Sequence, residues 1–323
     1  MAVTVPTTQE TWTGKIREVT LGALPSQGGT RGSTVTLGGQ ATLPFLHFEG
    51  QIPHRPVVAV EILDRAPEDW SPLLLQAWGP VVNDVAAWAH QAELVGADLL
   101  ALNLDSAHTE RGDTGATQAR ACVRAVLQAC SLPLIIYGPG QAGKDNEVLV
   151  AAAEEAAGER VVLGNCEDKN YRTIVAAALA HDQFVIARSP IDVNLAKQLN
   201  VLISDMQLGL ERVLIDPTTG ALGYGLEYTY SVMERLRLAA LTGDGALQLP
   251  MIVTVGQEAW RAKEARTGEG VPERWGDWAR RGTLWEAMTA TALLEAGADI
   301  VVVRHPESVP ALKRTIGKLM VQS

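Results

Sequence analysis

The residues best suited to binding a ligand lie in segment 216–225, which reads Asp-Pro-Thr-Thr-Gly-Ala-Leu-Gly-Tyr-Gly. Asp216 offers a carboxylate, Thr218 and Thr219 offer hydroxyls, and three glycines let backbone N–H groups approach a ligand closely. An apolar run at 213–215 precedes the segment, and a helical pattern follows it. Polar turns after buried strands hold the ligands of many α/β proteins. The alternative interpretation is a tight strand-to-helix turn that Asp216 merely orders.

The sequence contains eight short apolar runs, one of which directly precedes segment 216–225. They lie at residues 57–63, 99–104, 134–137, 161–163, 184–187, 213–215, 251–255 and 300–303. They lack period-two alternation, which is typical of parallel strands buried on both faces. A helical pattern follows each run, at residues 81–95, 117–130, 146–157, 171–180, 191–207, 228–241, 283–295 and 309–320. Eight strand–helix units predict a (β/α)8 TIM barrel over residues 54–323. A doubly wound parallel sheet is the alternative, although it rarely has eight evenly spaced strands.

Residues 1–53 have a different pattern, with β-branched residues at 15–21 and 33–37 around a glycine-rich stretch at 27–32. This pattern predicts an N-terminal β-hairpin with a long loop. The hairpin could cap the amino-terminal end of the barrel or form an arm on a partner, and the sequence leaves both open.

In a barrel, the residues that follow the strands face one mouth. Here they are mostly amides, hydroxyls, aspartates and arginines: Asp64, Arg65, Asn103, Asp105, Ser106, Tyr137, Gly138, Asn165, Cys166, Arg188, Ser189, Asp216, Thr218, Thr219, Gly256, Gln257, Arg304 and His305. Two Asp–Arg pairs are possible among them. The six histidines are scattered without metal-ligand spacing, and there is no G-x-S-x-G elbow. Asp105 or Asp216 could act as an acid or base, or could be a structural cap. We therefore expect a polar binding surface without an evident nucleophile.

Two other segments have alternative interpretations. Residues 138–145 match G-x-G-x-x-G, but Asp145 stands where a P-loop needs a hydroxyl, so we expect a tight turn with Asp145 as helix N-cap. The segment 256–282 is a long charged loop. It contains Trp260, Trp275 and Trp278, with Trp285 just beyond, which indicates either an interaction surface or simple packing onto the barrel.

Composition excludes several classes of function. The net charge of −10 argues against nucleic-acid and anionic-membrane binding. No secretory signal or run of 18 apolar residues is present, so we expect a cytoplasmic protein that does not span a membrane. Three cysteines are too few for a four-Cys iron–sulfur cluster within this chain.

The Asp-Pro-Thr-Thr-x-Ala-Leu-Gly-Tyr-Gly motif resembles one family closely: the small subunit of corrinoid iron–sulfur proteins, whose archaeal relative is the delta subunit of the acetyl-CoA decarbonylase/synthase complex. Gly138-x-Gly140 with Lys144-Asp145, Asp192-x-Asn194 and the segment 257–265 carry the same resemblance. It implies a TIM barrel that pairs with a large subunit carrying a [4Fe–4S] cluster and a corrinoid (cobamide). The chain has no D-x-H-x-x-G corrinoid motif, in agreement with that division.

The resemblance also implies a function. The heterodimer would accept a methyl group from methyltetrahydrofolate through a separate methyltransferase, and pass it to acetyl-CoA synthase/CO dehydrogenase. The corrinoid would lie between the large subunit and the mouth of this barrel, and this chain would contribute no catalytic residue and no metal ligand. The residues expected to contact the corrinoid are Asn165, Arg188, Ser189, Asp216, Thr218, Thr219, Gly220, Gly223, Tyr224 and Gln257. The alternative function is a stand-alone folate-binding barrel methyltransferase, with Asn103, Asp105 and Asp216 on a pterin edge.

Overall fold

The computed structural model describes residues 9–321 and confirms the predicted (β/α)8 barrel with an N-terminal hairpin. Eight parallel strands follow one another around the barrel: β3 (Val57–Leu63), β4 (Leu99–Asn103), β5 (Leu134–Tyr137), β6 (Val162–Cys166), β7 (Phe184–Arg188), β8 (Val213–Asp216), β9 (Ile252–Val253) and β10 (Ile300–Val303). β10 pairs with both β3 and β9. A parallel bridge between Ile215 and Met251 joins β8 to β9 and closes the ring.

In the part of the chain that the structure describes, eight longer helices and one short one surround the strands: α1 (Pro72–Trp78), α2 (Val85–Leu94), α3 (Ala116–Ala129), α4 (Ala142–Glu155), α5 (Tyr171–Ala180), α6 (Val193–Asp205), α7 (Leu226–Leu241), α10 (Trp278–Glu295) and α11 (Ser308–Leu319). Two further short helices, α8 (Val255–Ala259) and α9 (Lys263–Arg266), belong to the seventh loop at the mouth. The short helices α1, α8 and α9 are not predicted by the sequence. Among residues 9–321, no helix is long and apolar enough to cross a membrane.

Element boundaries follow local capping. Helix α6 begins after Asp192, whose carboxylate accepts hydrogen bonds from the backbone N–H groups of Asn194 and Leu195. The predicted seventh strand is too long, because the chain turns into α8 at Val255 immediately after β9. There Gly256 passes so close to β10 that an added Cβ would lie 2.6 Å from the backbone nitrogen of Arg304.

The hairpin lies against the amino-terminal end of the barrel. Its strands β1 (Val19–Leu21) and β2 (Val35–Leu37) are antiparallel. Val19, Leu21 and Leu37 join the cluster that fills the barrel interior, together with Val57 and Leu99 at the starts of β3 and β4. The sequence left two positions open for the hairpin, and in the structure the hairpin caps the amino-terminal end of the barrel.

A buried arginine anchors this cap. The Arg31 side chain is 1% exposed and donates to the Glu159 carboxylate at 2.9 Å. It also donates to the backbone carbonyls of Leu127 at 2.7 Å and Cys130 at 2.6 Å, at the end of α3. One guanidinium therefore joins the cap to the start of two barrel units.

We predict that Arg31→Ala lowers the free energy of unfolding by about 3–5 kcal/mol, because it leaves the Glu159 carboxylate buried without its cation. Urea titration followed by circular dichroism measures the change. The matched control is Lys197→Ala, which breaks an exposed ion pair with Asp244 and should leave stability almost unchanged. Equal effects of the two substitutions would show that Arg31 does not anchor the cap.

Candidate functional site at the barrel mouth

A polar layer crosses the barrel interior just below its mouth. Side chains alternate along each strand, and Val57 and Ala59 of β3 face the interior cluster, so Glu61 points inward as well. By the same alternation Asn103, Tyr137, Arg188 and Asp216 face inward at the carboxyl ends of β4, β5, β7 and β8. The apolar core thus ends in a layer of ionic and hydrogen-bonding groups.

Two ion pairs neutralise most of the charge in this layer. Arg304 donates to both carboxylate oxygens of Glu61, at 2.7 and 2.9 Å. On the other side, Arg188 lies 3.8 Å from Asp216 and 3.7 Å from Glu167. Sequence reasoning missed Glu61 as a site residue, although a glutamate within an apolar strand is a signal that could have found it.

Asp216 is the buried member of its pair, 2% exposed, whereas 38% of the Arg188 side chain is exposed. One Asp216 oxygen accepts a hydrogen bond from the backbone N–H of Thr218 at 2.8 Å. Burial raises the pKa of Asp216 above its ordinary value, and the Arg188 charge and the Thr218 bond only partly offset this. Through its bond to the Thr218 N–H, the carboxylate orders the turn. This is the structural role that the sequence analysis named as the alternative to ligand binding.

The threonine hydroxyls of the sixth loop are bonded within the protein. Thr218 Oγ1 donates to the carbonyl of Ser189 at 2.8 Å, and Thr219 Oγ1 accepts from the backbone N–H of Thr254 at 2.9 Å. Gly220 donates to Thr229 Oγ1 at 2.8 Å, and a Cβ on it would lie 2.5 Å from the Gly225 backbone. These predicted site residues first of all build the turn and join neighbouring units.

The outer part of this loop reaches the seventh loop. Gly223 has a φ of 75° and lies against the Trp285 ring. Tyr224 is 50% exposed, and its hydroxyl donates to a Glu264 carboxylate oxygen at 3.0 Å and accepts from the Lys263 backbone N–H at 3.2 Å. Tyr224 therefore links the sixth and seventh loops, and half of its surface remains exposed.

Three of the ten predicted site residues line cavities at the mouth, and they line two different ones. One, of about 400 Å³, lies beside Arg188 and Ser189 and is bounded by Leu195 and Leu199 of α6. The other, of about 330 Å³, contains Gln257 together with residues of β4, α8 and the loops after β3 and β10, and none of the other nine predicted residues lines it. The structure therefore does not bring Gln257 together with Arg188.

Several buried polar atoms at the mouth have no hydrogen-bond partner among residues 9–321. They are the amide oxygens of Asn103 and Asn165, the Ser189 hydroxyl and the Tyr137 hydroxyl. Burial, followed by the Asp216 and Glu61 charges, raises the pKa of Tyr137, so this hydroxyl stays protonated. The mouth thus has several neutral hydrogen-bonding groups that make no bond within residues 9–321.

The one thiol among the predicted mouth residues is not exposed to the mouth. Cys166 is fully buried and belongs to the cluster between the strands and the helices, not to the barrel interior. Burial raises the pKa of its thiol strongly.

The histidine at the mouth is also packed within the protein. His305 is 8% exposed and stacks on the Trp260 ring at 5.8 Å. Within residues 9–321, no group of three His, Cys, Asp or Glu side chains could hold a metal ion.

The seventh loop is packed onto the barrel around one arginine. Arg281 of α10 is 7% exposed and donates to the carbonyls of Glu264 and Thr267, both at 2.6 Å, and Gly276 at 3.0 Å. The Trp278 indole N–H donates to the Ala265 carbonyl. Trp278 therefore helps to pack the loop onto the barrel, and the alternative of an interaction surface stays a prediction.

The glycine-rich loop at 138–145 is a tight turn, as predicted, but Asp145 is not the N-cap. Helix α4 begins at Ala142 with Gln141 in the N-cap position. Asp145 lies one turn inside the helix and accepts from the Gly140 backbone N–H at 2.9 Å and from Asn170 Nδ2 at 3.3 Å. Its carboxylate occupies the turn that a phosphate would need.

Comparison with known proteins matches almost the whole chain to one family. Residues 18–313 match the family described as CO dehydrogenase/acetyl-CoA synthase delta subunit (CdhD). The acetyl-CoA decarbonylase/synthase complex subunit delta of Archaeoglobus fulgidus is 38% identical over 321 residues, which cover 96% of this chain and 70% of that relative. The corresponding subunit of Methanopyrus kandleri is 39% identical over 298 residues, covering 92% and 73%.

Solved structures with a similar fold include dihydropteroate synthases. The Yersinia pestis enzyme in a sulfonamide drug complex has a TM-score of 0.57 and 14% identity, covering 83% of this chain and 95% of that one. The Xanthomonas albilineans enzyme in complex with 7,8-dihydropteroate has a TM-score of 0.54 and 18% identity, covering 86% and 99%. At these identities the likeness shows a shared fold alone.

We predict that Asp216→Asn gains stability relative to the wild type as pH rises from about 3 to 7. A raised pKa means that the folded protein holds this proton more tightly than the unfolded chain, so ionisation of Asp216 opposes folding. Asparagine keeps an acceptor for the Thr218 N–H and removes that cost.

Urea midpoints measured across this pH range test the prediction. The matched control is Asp205→Asn, an equal change of charge at an exposed position at the end of α6. A stability difference between Asp216→Asn and wild type that stays constant or shrinks with rising pH would contradict it.

Proposed function

The chain belongs to the family of CO dehydrogenase/acetyl-CoA synthase delta subunits, and on that premise we propose that it is the small subunit of a corrinoid iron–sulfur methyl carrier. In this role it pairs with a large subunit that holds the corrinoid and a [4Fe–4S] cluster. The heterodimer takes a methyl group from methyltetrahydrofolate through a separate methyltransferase and delivers it to acetyl-CoA synthase/CO dehydrogenase. The observation that carries the proposal is a mouth rich in hydrogen-bonding groups and poor in reactive ones.

The chemistry of the mouth suits a cover over a corrinoid. A corrin ring has an apolar body with amide side chains around its edge. Beside Arg188, the structure offers the Ser189 hydroxyl and the Asn165 amide oxygen, both unpartnered within residues 9–321. Ile191 and Leu195 expose 37% and 45% of their surfaces on the same side. These groups fit the two kinds of surface that the ring presents.

The residues that line the mouth cavity beside Arg188 include no thiol or imidazole that could compete for cobalt. Cys166 lies behind the strand, and its raised thiol pKa keeps it protonated. When bound, the corrinoid supplies the cobalt that accepts and releases the methyl group. The chain's own residues orient the ring edge and exclude water from the reacting face.

The structure gives less support to a stand-alone folate-binding methyltransferase. A pterin edge would need free carboxylates, but Asp105 is paired with Arg65 at 2.6 Å and with Arg111. Asp216 is engaged by Arg188 and the Thr218 N–H. Asn103 is the only one of the three proposed pterin ligands with an unpartnered buried acceptor.

The decisive experiment compares the chain alone with the chain co-expressed with a large corrinoid subunit. We expect the isolated chain to be colourless, and the co-purified heterodimer to contain cobalt and iron. Absorption spectra and metal analysis measure both. A corrinoid or iron–sulfur spectrum in the isolated chain would overturn the proposal, as would heat of binding on titration of the isolated chain with methyltetrahydrofolate.

We predict that Arg188→Gln lowers the rate of methyl transfer by the assembled heterodimer about tenfold, because it removes a charged hydrogen-bond donor from the face that covers the ring. The matched control is Arg235→Gln, an exposed arginine on α7. Circular dichroism confirms that both variants are folded. Normal transfer by folded Arg188→Gln would place the corrinoid away from this face.

A further inference from the structure

The second cavity at the mouth has no role in the carrier function proposed above. It has a volume of about 330 Å³ and lies among the loops after β3, β4, β9 and β10. Four arginines line it, Arg111, Arg261, Arg266 and Arg304, against the two carboxylates Asp69 and Asp105. We call it the arginine cavity. Such a concentration of cations is unexpected in a chain with a net charge of −10.

Two of these arginines are already neutralised within the protein. Arg304 binds Glu61 through two hydrogen bonds and lies 4.7 Å from the centre of the Trp70 ring. Arg111 pairs with Asp105 and lies 3.7 Å from Asp69. Both belong to the fixed lining of the cavity, because Arg304 is held by the buried Glu61 and Arg111 by the buried Asp105.

The other two arginines are available to a ligand. Arg266, at the end of α9, makes no side-chain hydrogen bond or ion pair with residues 9–321. Arg261 pairs with Glu258 at 2.8 Å, but 61% of its side chain is exposed, so solvent screens this pair. Both come from the seventh loop, and Gln257 adds an amide beside them.

We infer that the arginine cavity binds a small organic anion whose carboxylate or phosphate group is held between Arg261 and Arg266. Guanidinium groups bind both kinds of oxyanion through paired, charge-assisted hydrogen bonds. The volume is at the lower end of small-molecule sites, which limits the ligand to a compact body. The unpartnered amide oxygen of Asn103 provides an acceptor for a donor on that body.

The anchoring of the seventh loop makes the site preformed. Arg281 fixes the backbone around Glu264 and Thr267, on either side of Arg266. The Tyr224 hydroxyl holds the same loop from the other side, through Glu264 and the Lys263 N–H. A ligand therefore orders two side chains rather than a whole loop, which lowers the entropic cost of binding.

Isothermal titration of the full chain with inorganic phosphate and, separately, with glutarate tests the inference. We expect saturable one-to-one binding of at least one probe, weakened by added potassium chloride. The tighter probe identifies the oxyanion class. Arg266→Gln and Arg261→Gln should each weaken binding about tenfold, since each removes one charge-assisted contact. Arg235→Gln, on α7 outside the cavity, should bind as the wild type does.

The titration has two results that would overturn the inference. One is the absence of saturable heat with both probes. The other is unchanged affinity in Arg266→Gln and Arg261→Gln, with circular dichroism showing that they are folded. Neither result bears on the carrier function, because methyl transfer by the heterodimer and binding by the chain alone are measured separately.

Discussion

The ion pair between Glu61 and Arg304 is the contact on which the mouth of this barrel depends. It joins the first barrel strand to the residue that follows the last one, across the β3–β10 seam. Both side chains are nearly buried. Removing either one would leave the other charge buried without a partner, which would cost about 3–5 kcal/mol of stability. Arg304 also donates its backbone N–H to Glu286 of α10 and lies over Trp70. One residue thus fixes the seam, a neighbouring helix and the wall of the arginine cavity.

Charge is arranged differently on the two sides of the mouth. Around Arg304, cations and carboxylates are closely paired and surround a polar cavity, with exposed arginines at its rim. Around Arg188, one exposed cation stands beside apolar side chains of α6 and neutral acceptors. A small charged molecule suits the first environment, and a large, mostly neutral ring suits the second. The barrel scaffold holds both because the loops that form them arise from different strands.

Much of the fold was predictable, because it depends on short-range patterns. Three barrel strands, at 57–63, 134–137 and 300–303, have the predicted bounds, since a buried parallel strand is a continuous apolar run. Gly96 and Gly297, which follow helices α2 and α10, have a positive φ, as glycines after a helix end commonly do. The seventh strand was overestimated because apolar residues at 251–255 serve both a strand and a buried helix start.

The site was less predictable, because it depends on partners far apart in the chain. Glu61 and Arg304 are 243 residues apart, and no pattern in a single sequence indicates that they meet. The same holds for Gln257, which follows a strand as predicted but opens into a different cavity from Arg188. Strand ends fix which residues reach the mouth, while the loops decide which of them become neighbours.

The internal bonding of the sixth loop changes what its motif signifies. Asp216, Thr218 and Thr219 each hold a backbone group of this loop or of a neighbouring unit, and Gly220 has no room for a side chain. These identities are therefore demanded by the architecture of the turn, whatever lies above it. The motif is thus a requirement of the turn itself, and the exposed residues around it, rather than the motif, determine which surface the mouth presents.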